Sequence, residues 1–311
     1  MELIENLDEI KAPYTKSVIT IGNFDGVHIG HQALFHETIA KADAIGGTSI
    51  AMTFEPHPIR LLKAGPPPPL ITLHEQKVEL ISRAGLDLLI CVPFTHAFAA
   101  IGAKAFVEEI LIEKIGMTAM VVGEDYTYGR NREGNLKILH ADAARLGFDV
   151  IVVPCIPFAG EGPERISSTR IRELVMEGEL SASHKMLGRH YQVSGTVVTG
   201  RNRGAKLLGF PTANINLQGA LRPKNGVYAV TVECLDRLFK GVVNIGYSPT
   251  FEDHQFTVEV HLLDFEGDLY GKKIRVNFIH RIRDEKKFSG IEALADQIRK
   301  DVVEAREIIS L

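Results

Sequence analysis

The residue pattern of this 311-residue chain changes near residue 185. Before that point, short β-branched runs alternate with segments of helical spacing, and after it short strand-like runs follow one another with turn residues between them. Strand–helix alternation is typical of a parallel sheet that is covered on both faces. Consecutive short strands are typical of an antiparallel sandwich or a small barrel. We therefore predict an α/β domain over residues 1–184 and a β domain over residues 185–311.

In the first domain the pattern predicts five strands and five main helices. The strands are 18–21, 49–54, 88–92, 119–123 and 150–154, and the helices are 31–45, 74–84, 103–115, 133–146 and 169–177. Ligands of such sheets bind at the carboxyl ends of the strands, so the loops that follow the strands are the first place to look for a site.

In the second domain the pattern predicts short strands and one terminal helix. The strands are 191–199, 227–234, 239–245, 257–263 and 273–279. Apolar residues at helical spacing after residue 290 predict an amphipathic helix, and Ser289 and Glu292 have the spacing of a capping box at its start.

Charge and cysteine usage exclude several classes of protein. The formal net charge is −4, which disfavours general nucleic-acid binding. The apolar runs are too short for a membrane span, and the first residues carry no apolar signal segment. Three scattered cysteines without CxxC spacing indicate neither a disulfide framework nor a thiolate zinc site. We expect a cytoplasmic protein with no membrane or nucleic-acid partner, and homo-oligomerisation is left open.

A glycine-rich turn follows the first predicted strand and leads into the first predicted helix. Residues 22–31, GNFDGVHIGH, place Gly22 and Gly30 beside His28 and His31. Glycine lets the backbone approach a ligand closely, and a helix N-terminus attracts anions. Two histidines three residues apart therefore indicate a phosphate site. A zinc site and a pair of core histidines are the weaker alternatives, because the Glu of a zinc-binding helix is missing and the pattern is not one of packing.

A second candidate anion-binding segment lies at the far end of the same domain. Residues 165–172 are RISSTRIR, in which Ser167 and Ser168 are favourable N-cap residues whose polar groups can also bind phosphate. Arg172 lies one turn further on and is always charged. The alternative is a capped surface helix with solvated arginines.

Together these segments resemble the nucleotidyltransferase superfamily, although the KMSKS motif of its class I aminoacyl-tRNA synthetases is missing. With TFEPHP (53–58) and VGEDYTYGRNREG (122–134), they resemble the FAD synthetase module of the bifunctional riboflavin kinase/FAD synthetases. Tyr126 and Tyr128 stand where that family usually has Phe. The resemblance implies a Rossmann-like domain that transfers AMP from ATP to FMN and releases pyrophosphate.

This chemistry requires neutralisation of charge rather than a general base, because the phosphate nucleophile is already an anion. His28, His31 and Arg172 suit that role. Chemistry and resemblance together predict further contacts, to nucleotide or phosphate by Gly22, Asn23, Asp25, Gly30, Ser167, Ser168 and Thr169, and to flavin by Asp125, Tyr126 and Tyr128, with Glu55 and His57 as secondary candidates.

The β domain opens with a candidate nucleotide and metal segment. Gly200 and Gly204 bound a basic loop that contains Lys206, and we expect this loop to bind nucleotide phosphates. Thr212 and Asn214 are two residues apart, so their side chains face the same side of an extended segment. Their oxygen atoms suit Mg²⁺. An ordinary Pro-Thr turn is the alternative.

The motifs PTAN, GVYAV, NIGYSPTF, VEVHLLDF, DLYGK and RIRDEKKF occur in order and resemble the riboflavin kinase domain, a six-stranded antiparallel barrel with a terminal helix. The resemblance implies phosphorylation of riboflavin by ATP. Because an alcohol is a poor nucleophile, the reaction needs a carboxylate to take its proton. The resemblance assigns that role to Glu259, for which a solvated strand position is the alternative, and Arg283 and Phe288 are candidate flavin contacts.

We expect a bifunctional enzyme whose substrates are riboflavin, FMN and ATP. Two other hypotheses remain, an enzyme with one active domain and a non-enzymatic flavin sensor. Nicotinamide chemistry is disfavoured, because the first loop lacks GxGxxG.

Overall fold

A computed structural model describes residues 1–62, 65–158, 165–198, 213–215, 219–247 and 256–309. The chain divides into two compact units. The first unit consists of Met1–Pro68 and Leu73–Ser167, and the second consists of Pro69–Thr72 and Ser168–Leu311.

The first unit contains a parallel sheet, as predicted, but the sheet has six strands because a short first strand, which the sequence pattern did not predict, joins the five predicted ones. Its strands are β1 (Glu2–Ile4), β2 (Ser17–Ile21), β3 (Ser49–Glu55), β4 (Leu88–Pro93), β5 (Met117–Gly123) and β8 (Asp149–Val153), in the spatial order β1-β4-β3-β2-β5-β8. A separate hairpin is formed by β6 (Thr127–Tyr128) and β7 (Gly134–Asn135). The strand order reverses direction between β2 and β5, which makes the carboxyl ends of these two strands the switch point at which such sheets bind ligands.

Helices flank both faces of this sheet. They are α1 (Ile29–Ile45), α2 (Pro58–Leu62), α3 (His74–Arg83), α4 (His96–Ala99), α5 (Ala103–Ala105), which continues as a π-helix over Phe106–Ile115, and α6 (Leu136–Leu146). Alternate residues of one strand enter different cores: Ile50 packs with Leu111 and the π-helix, whereas Ala51 packs with Phe35 and Ile81 of α1 and α3. Both faces are therefore apolar, which explains the near-continuous apolar runs of the strands.

The second unit is a closed antiparallel barrel with helices before and after it. The helices α7 (Ser168–Glu177) and α8 (Leu180–Leu187) precede it. Its strands are β9 (Tyr191–Val198), β10 (Ala213–Ile215), β11 (Gly226–Cys234), β12 (Arg237–Tyr247), β13 (Phe256–Leu262) and β14 (Lys273–Arg283), closed in the order β10-β13-β12-β11-β14-β9, and α9 (Ile291–Ile308) follows them.

Two boundaries differ from the sequence patterns. Helix α9 begins after Gly290, and no side chain makes a capping hydrogen bond there, so the predicted capping box of Ser289 and Glu292 is wrong. Helices α7 and α8 group with the barrel unit although the pattern placed most of this stretch with the α/β domain. One reason is that Gly178, between them, lies against the side chain of Arg281 on β14.

A buried ion pair connects α9 with β14 of the barrel. The Arg283 guanidinium donates to both carboxylate oxygens of Asp301, with Nη2–Oδ2 at 2.7 Å and Nε–Oδ1 at 2.9 Å. The Asp301 side chain is only 3% exposed. Burial of a charge is tolerated only when the charge is paired, so each partner of this contact between α9 and β14 requires the other.

We predict that Asp301→Ala lowers the free energy of unfolding by about 3 kcal/mol, because it leaves a largely buried guanidinium unpaired. Urea denaturation followed by circular dichroism measures the loss. Asp296→Ala, which removes an exposed carboxylate from the same helix, is the control and should change stability by less than about 0.5 kcal/mol. Equal stability of both variants would show that the pair contributes little.

Candidate active sites

The loop after β2 lies at the switch point of the parallel sheet and adopts an unusual backbone. Phe24, Gly26 and Val27 all have positive φ angles, of 47°, 87° and 42°. The side chains of Phe24 and Val27 are nevertheless buried, and they pack in one cluster with Phe35 of α1. This packing holds the turn in a conformation that an isolated peptide would avoid.

The structure brings the two predicted histidines together at the start of α1. His28 is the N-cap residue, and its Nδ1 accepts a hydrogen bond from the backbone N–H of His31 at 3.3 Å. The two rings stack with centroids 3.6 Å apart. The His31 ring also meets the edge of Phe24 at 5.3 Å. The imidazoles therefore form one unit beside the positive end of a helix, a suitable position for an anion.

At two predicted glycines an added Cβ would press on a neighbouring side chain, although neither glycine has a positive φ. A Cβ on Gly30 would lie 3.1 Å from Nδ1 of His28, and a Cβ on Gly22 would lie 2.7 Å from the Phe24 ring. Asn23 is exposed on the same turn, whereas Asp25 is buried at 3% exposure. The turn thus places the predicted residues of this motif within one short segment.

The loop after β5 contains the predicted flavin residues. Asp125 forms a 3.0 Å ion pair with Arg165 of the RISSTRIR segment. Tyr126 and Tyr128 stack with centroids 5.5 Å apart, and Tyr128 is buried against Phe106. Within the described part of the chain neither hydroxyl has a hydrogen-bond partner. Burial raises the pKa of both phenols, that of Tyr128 to about 12, so both stay neutral.

The secondary candidate Glu55 lies in a polar cluster at the carboxyl end of β3, with two partners, His74 and Lys77, that the sequence did not reveal. The Glu55 carboxylate is 3.5 Å from Nδ1 of His74 and 3.8 Å from Nζ of Lys77. Lys77 is almost fully buried, at 4% exposure. His57 has its Nδ1 bonded to the backbone N–H of Ile59 at the start of α2. The residue pattern of α3 does not predict a buried lysine, because lysines on amphipathic helices are ordinarily solvated.

The remaining predicted residues of the RISSTRIR segment fall on both sides of the unit division. Ser167 ends the first unit, whereas Ser168, Thr169 and Arg172 lie on α7 in the second. The guanidinium Nε of Arg172 donates to the backbone carbonyl of Pro69 at 2.9 Å.

In the barrel, strand register aligns three polar side chains on adjacent strands. Asn214 of β10 pairs with Glu259 of β13, which pairs in turn with Asn244 of β12. Val258 and Val260 beside Glu259 are buried in the barrel, so the three polar residues face outward. Burial nevertheless raises the pKa of the Glu259 carboxyl, which makes it a stronger base than an exposed glutamate.

Asn244 is the residue that the sequence analysis missed in this row. Strand alternation places it on the outer face, but alternation does not say which strands are neighbours.

The predicted flavin residues Arg283 and Phe288 lie at the end of β14 and after it, with the guanidinium 5.7 Å from the centre of the Phe288 ring. Gly200, Gly204, Lys206 and Thr212 lie outside the described residues.

No group of three or more metal-ligating His, Cys, Asp or Glu side chains occurs in the portion of the chain that the structure describes. His28 and His31 therefore have no third protein ligand of these types there. In the same portion no helix is long and apolar enough to cross a membrane.

Comparisons with known proteins agree with this arrangement. The FAD synthetase family model matches residues 10–170, and the riboflavin kinase family model matches residues 187–309. Bifunctional riboflavin kinase/FMN adenylyltransferase of Escherichia coli K12 is 36% identical over 100% of this chain and 99% of its own length. The protein of that description from Bacillus subtilis 168 is 37% identical over 95% and 93%.

A solved structure described as a macrolide-efflux protein from Streptococcus pneumoniae has a TM-score of 0.87 to this chain. It is 31% identical in sequence, and the match covers 98% of both chains. This similarity extends over both the parallel sheet and the barrel, so it supports the two-part fold.

The two family models cover the two halves of the chain, and the relatives match both halves, so the chain is a transferase with two activities in flavin nucleotide synthesis. The chain belongs to the bifunctional riboflavin kinase/FMN adenylyltransferase family. Its C-terminal part is a riboflavin kinase and its N-terminal part is an FAD synthetase.

We predict that Gly30→Ala lowers kcat/KM for FMN adenylylation about tenfold while leaving riboflavin phosphorylation unchanged. The added methyl would press on the His28 ring, and displacement of a positioned group is costly to catalysis. Because alanine favours a helix over glycine, the thermal midpoint should not fall. Glu37→Ala, an exposed change on the same helix, is the control. Full adenylylation activity in Gly30→Ala would contradict the role of the ring position.

Proposed function

We propose that the histidine pair of the first unit and the Glu259 row of the barrel carry the two reactions. The observation that supports the first assignment is the stacked pair of imidazoles at the N-terminus of α1, at the switch point of the sheet. The second is supported by the pairing of Asn214, Glu259 and Asn244 across neighbouring strands.

In adenylyl transfer, a phosphate oxygen of FMN attacks the α-phosphorus of ATP, and pyrophosphate leaves. The attacking group is already ionised, so the protein contributes positioning and stabilisation of negative charge. His28 and His31 donate to phosphate oxygens from the helix start, next to the backbone N–H groups of that turn. Arg172 adds a permanent positive charge, with Ser167, Ser168 and Thr169 as phosphate contacts. The part of the site that binds the nucleotide is formed by the turn after β2, with Gly22, Asn23, Asp25 and Gly30.

In the kinase reaction, Glu259 takes the proton of the riboflavin 5′-hydroxyl as that oxygen bonds to the γ-phosphorus, and ADP leaves. Its raised pKa suits this task, because a base close to the operating pH accepts a proton more readily. Gly200, Gly204 and Lys206 bind the phosphates of ATP.

We also propose that Mg²⁺ serves the kinase, with Thr212 and Asn214 as its protein ligands. The carboxamide of Asn214 faces the same side as Glu259, and a neutral oxygen ligand suits a cation that retains water and phosphate oxygens. The ion, when bound, neutralises charge on the transferring phosphate.

Arg283 and Phe288 are the proposed flavin contacts of the kinase. Nε and Nη2 of Arg283 are bonded to Asp301, and Nη1 is bonded to the backbone oxygen of Asp284. These contacts use three of the five N–H donors and hold the guanidinium in one plane, and the face of that plane can stack on a flavin ring. In the first unit, Asp125, Tyr126 and Tyr128 are the proposed flavin contacts, and Glu55 and His57 support the adjoining loop.

The protein acts in the cytoplasm under this proposal. Cys91, Cys155 and Cys234 are all free thiols, as expected in a reducing compartment.

We predict that single changes separate the two reactions. With riboflavin, ATP and Mg²⁺, the unmodified protein should form FMN first and FAD afterwards. His31→Ala should stop at FMN, because the α-phosphate loses a donor. Glu259→Gln should form no FMN yet still convert added FMN to FAD, because only the proton acceptor is lost. Separation of the flavins by chromatography over time measures both products.

Each variant is the control for the other, since each retains the reaction that the other loses, and an unchanged circular dichroism spectrum checks the fold of the substituted unit. FAD formation by His31→Ala at the unmodified rate would refute the role of the histidine pair. Binding of riboflavin without either product in the unmodified protein would favour the flavin sensor.

We predict that Asn214→Ala raises the Mg²⁺ concentration for half-maximal kinase activity about tenfold, because one metal ligand is lost. The Mg²⁺ dependence of FMN adenylylation should be unchanged. Thr196→Ala on the neighbouring β9 is the control. Identical Mg²⁺ curves for Asn214→Ala and the unmodified protein would exclude Asn214 as a ligand.

A further inference from the structure

A continuous row of residues crosses five strands on the outer face of the barrel. Register pairs Asn214 with Glu259, Glu259 with Asn244, Asn244 with Val227, and Val227 with Arg283. Val227 packs with α9 on this outer face. Directly paired residues project to the same side of a sheet, so the row is a single line of side chains.

The proposed roles of these residues follow one another along the row, from metal ligand through base to flavin contact. Asn214, the proposed metal ligand, is at one end, and Arg283, the proposed flavin contact, is at the other. Glu259 lies one strand from the metal end. With these roles, the phosphate donor and the flavin ring lie on opposite sides of Glu259. Because Val227 is covered by α9, Asn244 is the accessible residue of the row between Glu259 and Arg283.

Two strand spacings, about 10 Å, separate Glu259 from Val227. Asn244 occupies the middle of this interval and is partly exposed, while its chain neighbours Val243 and Ile245 are buried in the barrel. Among the described residues, neither the Asn244 carboxamide nor the Glu259 carboxylate makes a side-chain hydrogen bond. The carboxamide therefore has two N–H donors available to a ligand.

We propose that the carboxamide of Asn244 donates a hydrogen bond to a ribityl hydroxyl of riboflavin and so holds the 5′-hydroxyl against Glu259. This inference rests on the proposed role of Glu259 as the base. Val227, the next residue of the row, is apolar, so Asn244 is the polar contact for the hydroxylated chain between the base and the flavin ring.

The test compares Asn244→Ala and Asn244→Asp in riboflavin kinase kinetics. Asn244→Ala should lower kcat/KM for riboflavin about tenfold, the size of one lost hydrogen bond to a substrate, with KM for ATP within twofold of the unmodified value. Asn244→Asp keeps the shape but has only acceptors, and it places a second negative charge beside Glu259, so its loss should be larger. FMN adenylylation and the thermal midpoint should not change in either variant.

Lys240→Ala on the same strand is the control and should keep full kinase activity. Unmodified kcat/KM in Asn244→Asp would overturn the proposal, since it would assign Asn244 to filling space. A loss confined to KM for ATP would overturn it as well.

Glu259→Gln, assayed in parallel, separates this inference from the proposed function. An inactive Glu259→Gln with normal Asn244 variants refutes only the role of Asn244. A Glu259→Gln variant that still forms FMN refutes the role of Glu259 itself.

Discussion

The pairing register of the barrel strands determines which polar groups meet outside it. Closure of six strands leaves no edge along which a strand could slip, and a shift of β13 by one residue would turn Glu259 into the apolar interior. The buried side chains of Val258 and Val260 oppose such a shift. The hydrophobic core of the barrel therefore fixes the position of its candidate base, although that base lies on the opposite face of the sheet.

The first unit positions its candidate groups differently, through a turn whose conformation is costly. Positive φ angles at Phe24 and Val27 cost about 1–3 kcal/mol each, most of all for the β-branched valine. Burial of both side chains against α1 and α3 offsets that cost. The turn in return makes His28 the N-cap of α1, so one ring both caps the helix and stacks on His31. Local strain and core packing are thus coupled at the point where the phosphate is expected.

Residue patterns were sufficient for the alternation of strands and helices and for the pairing of His28 with His31, because these depend on local periodicity and spacing. They left a sandwich and a barrel open for the second domain, and only the family resemblance implied the barrel. They were insufficient for Asn244, since its importance depends on which strands are neighbours. They did not predict the burial of Lys77 either, because that burial depends on the packing of α3 beside Glu55. The capping box failed because the helix begins after Gly290 without the Ser289 side chain. What the sequence missed in each case was set by tertiary contact.

The pair between Arg283 and Asp301 links the stability of the barrel to its proposed substrate surface. Two guanidinium nitrogens bond to the buried carboxylate, so the plane of the guanidinium is fixed by α9 rather than by β14 alone. A planar group held in this way can present a face to a flavin ring without losing side-chain entropy when the ring arrives. Under the proposal, the terminal helix contributes to flavin binding by fixing the orientation of Arg283, the last residue of the row. In this arrangement, the ion pair that holds α9 on the barrel also orients the residue proposed to contact the flavin.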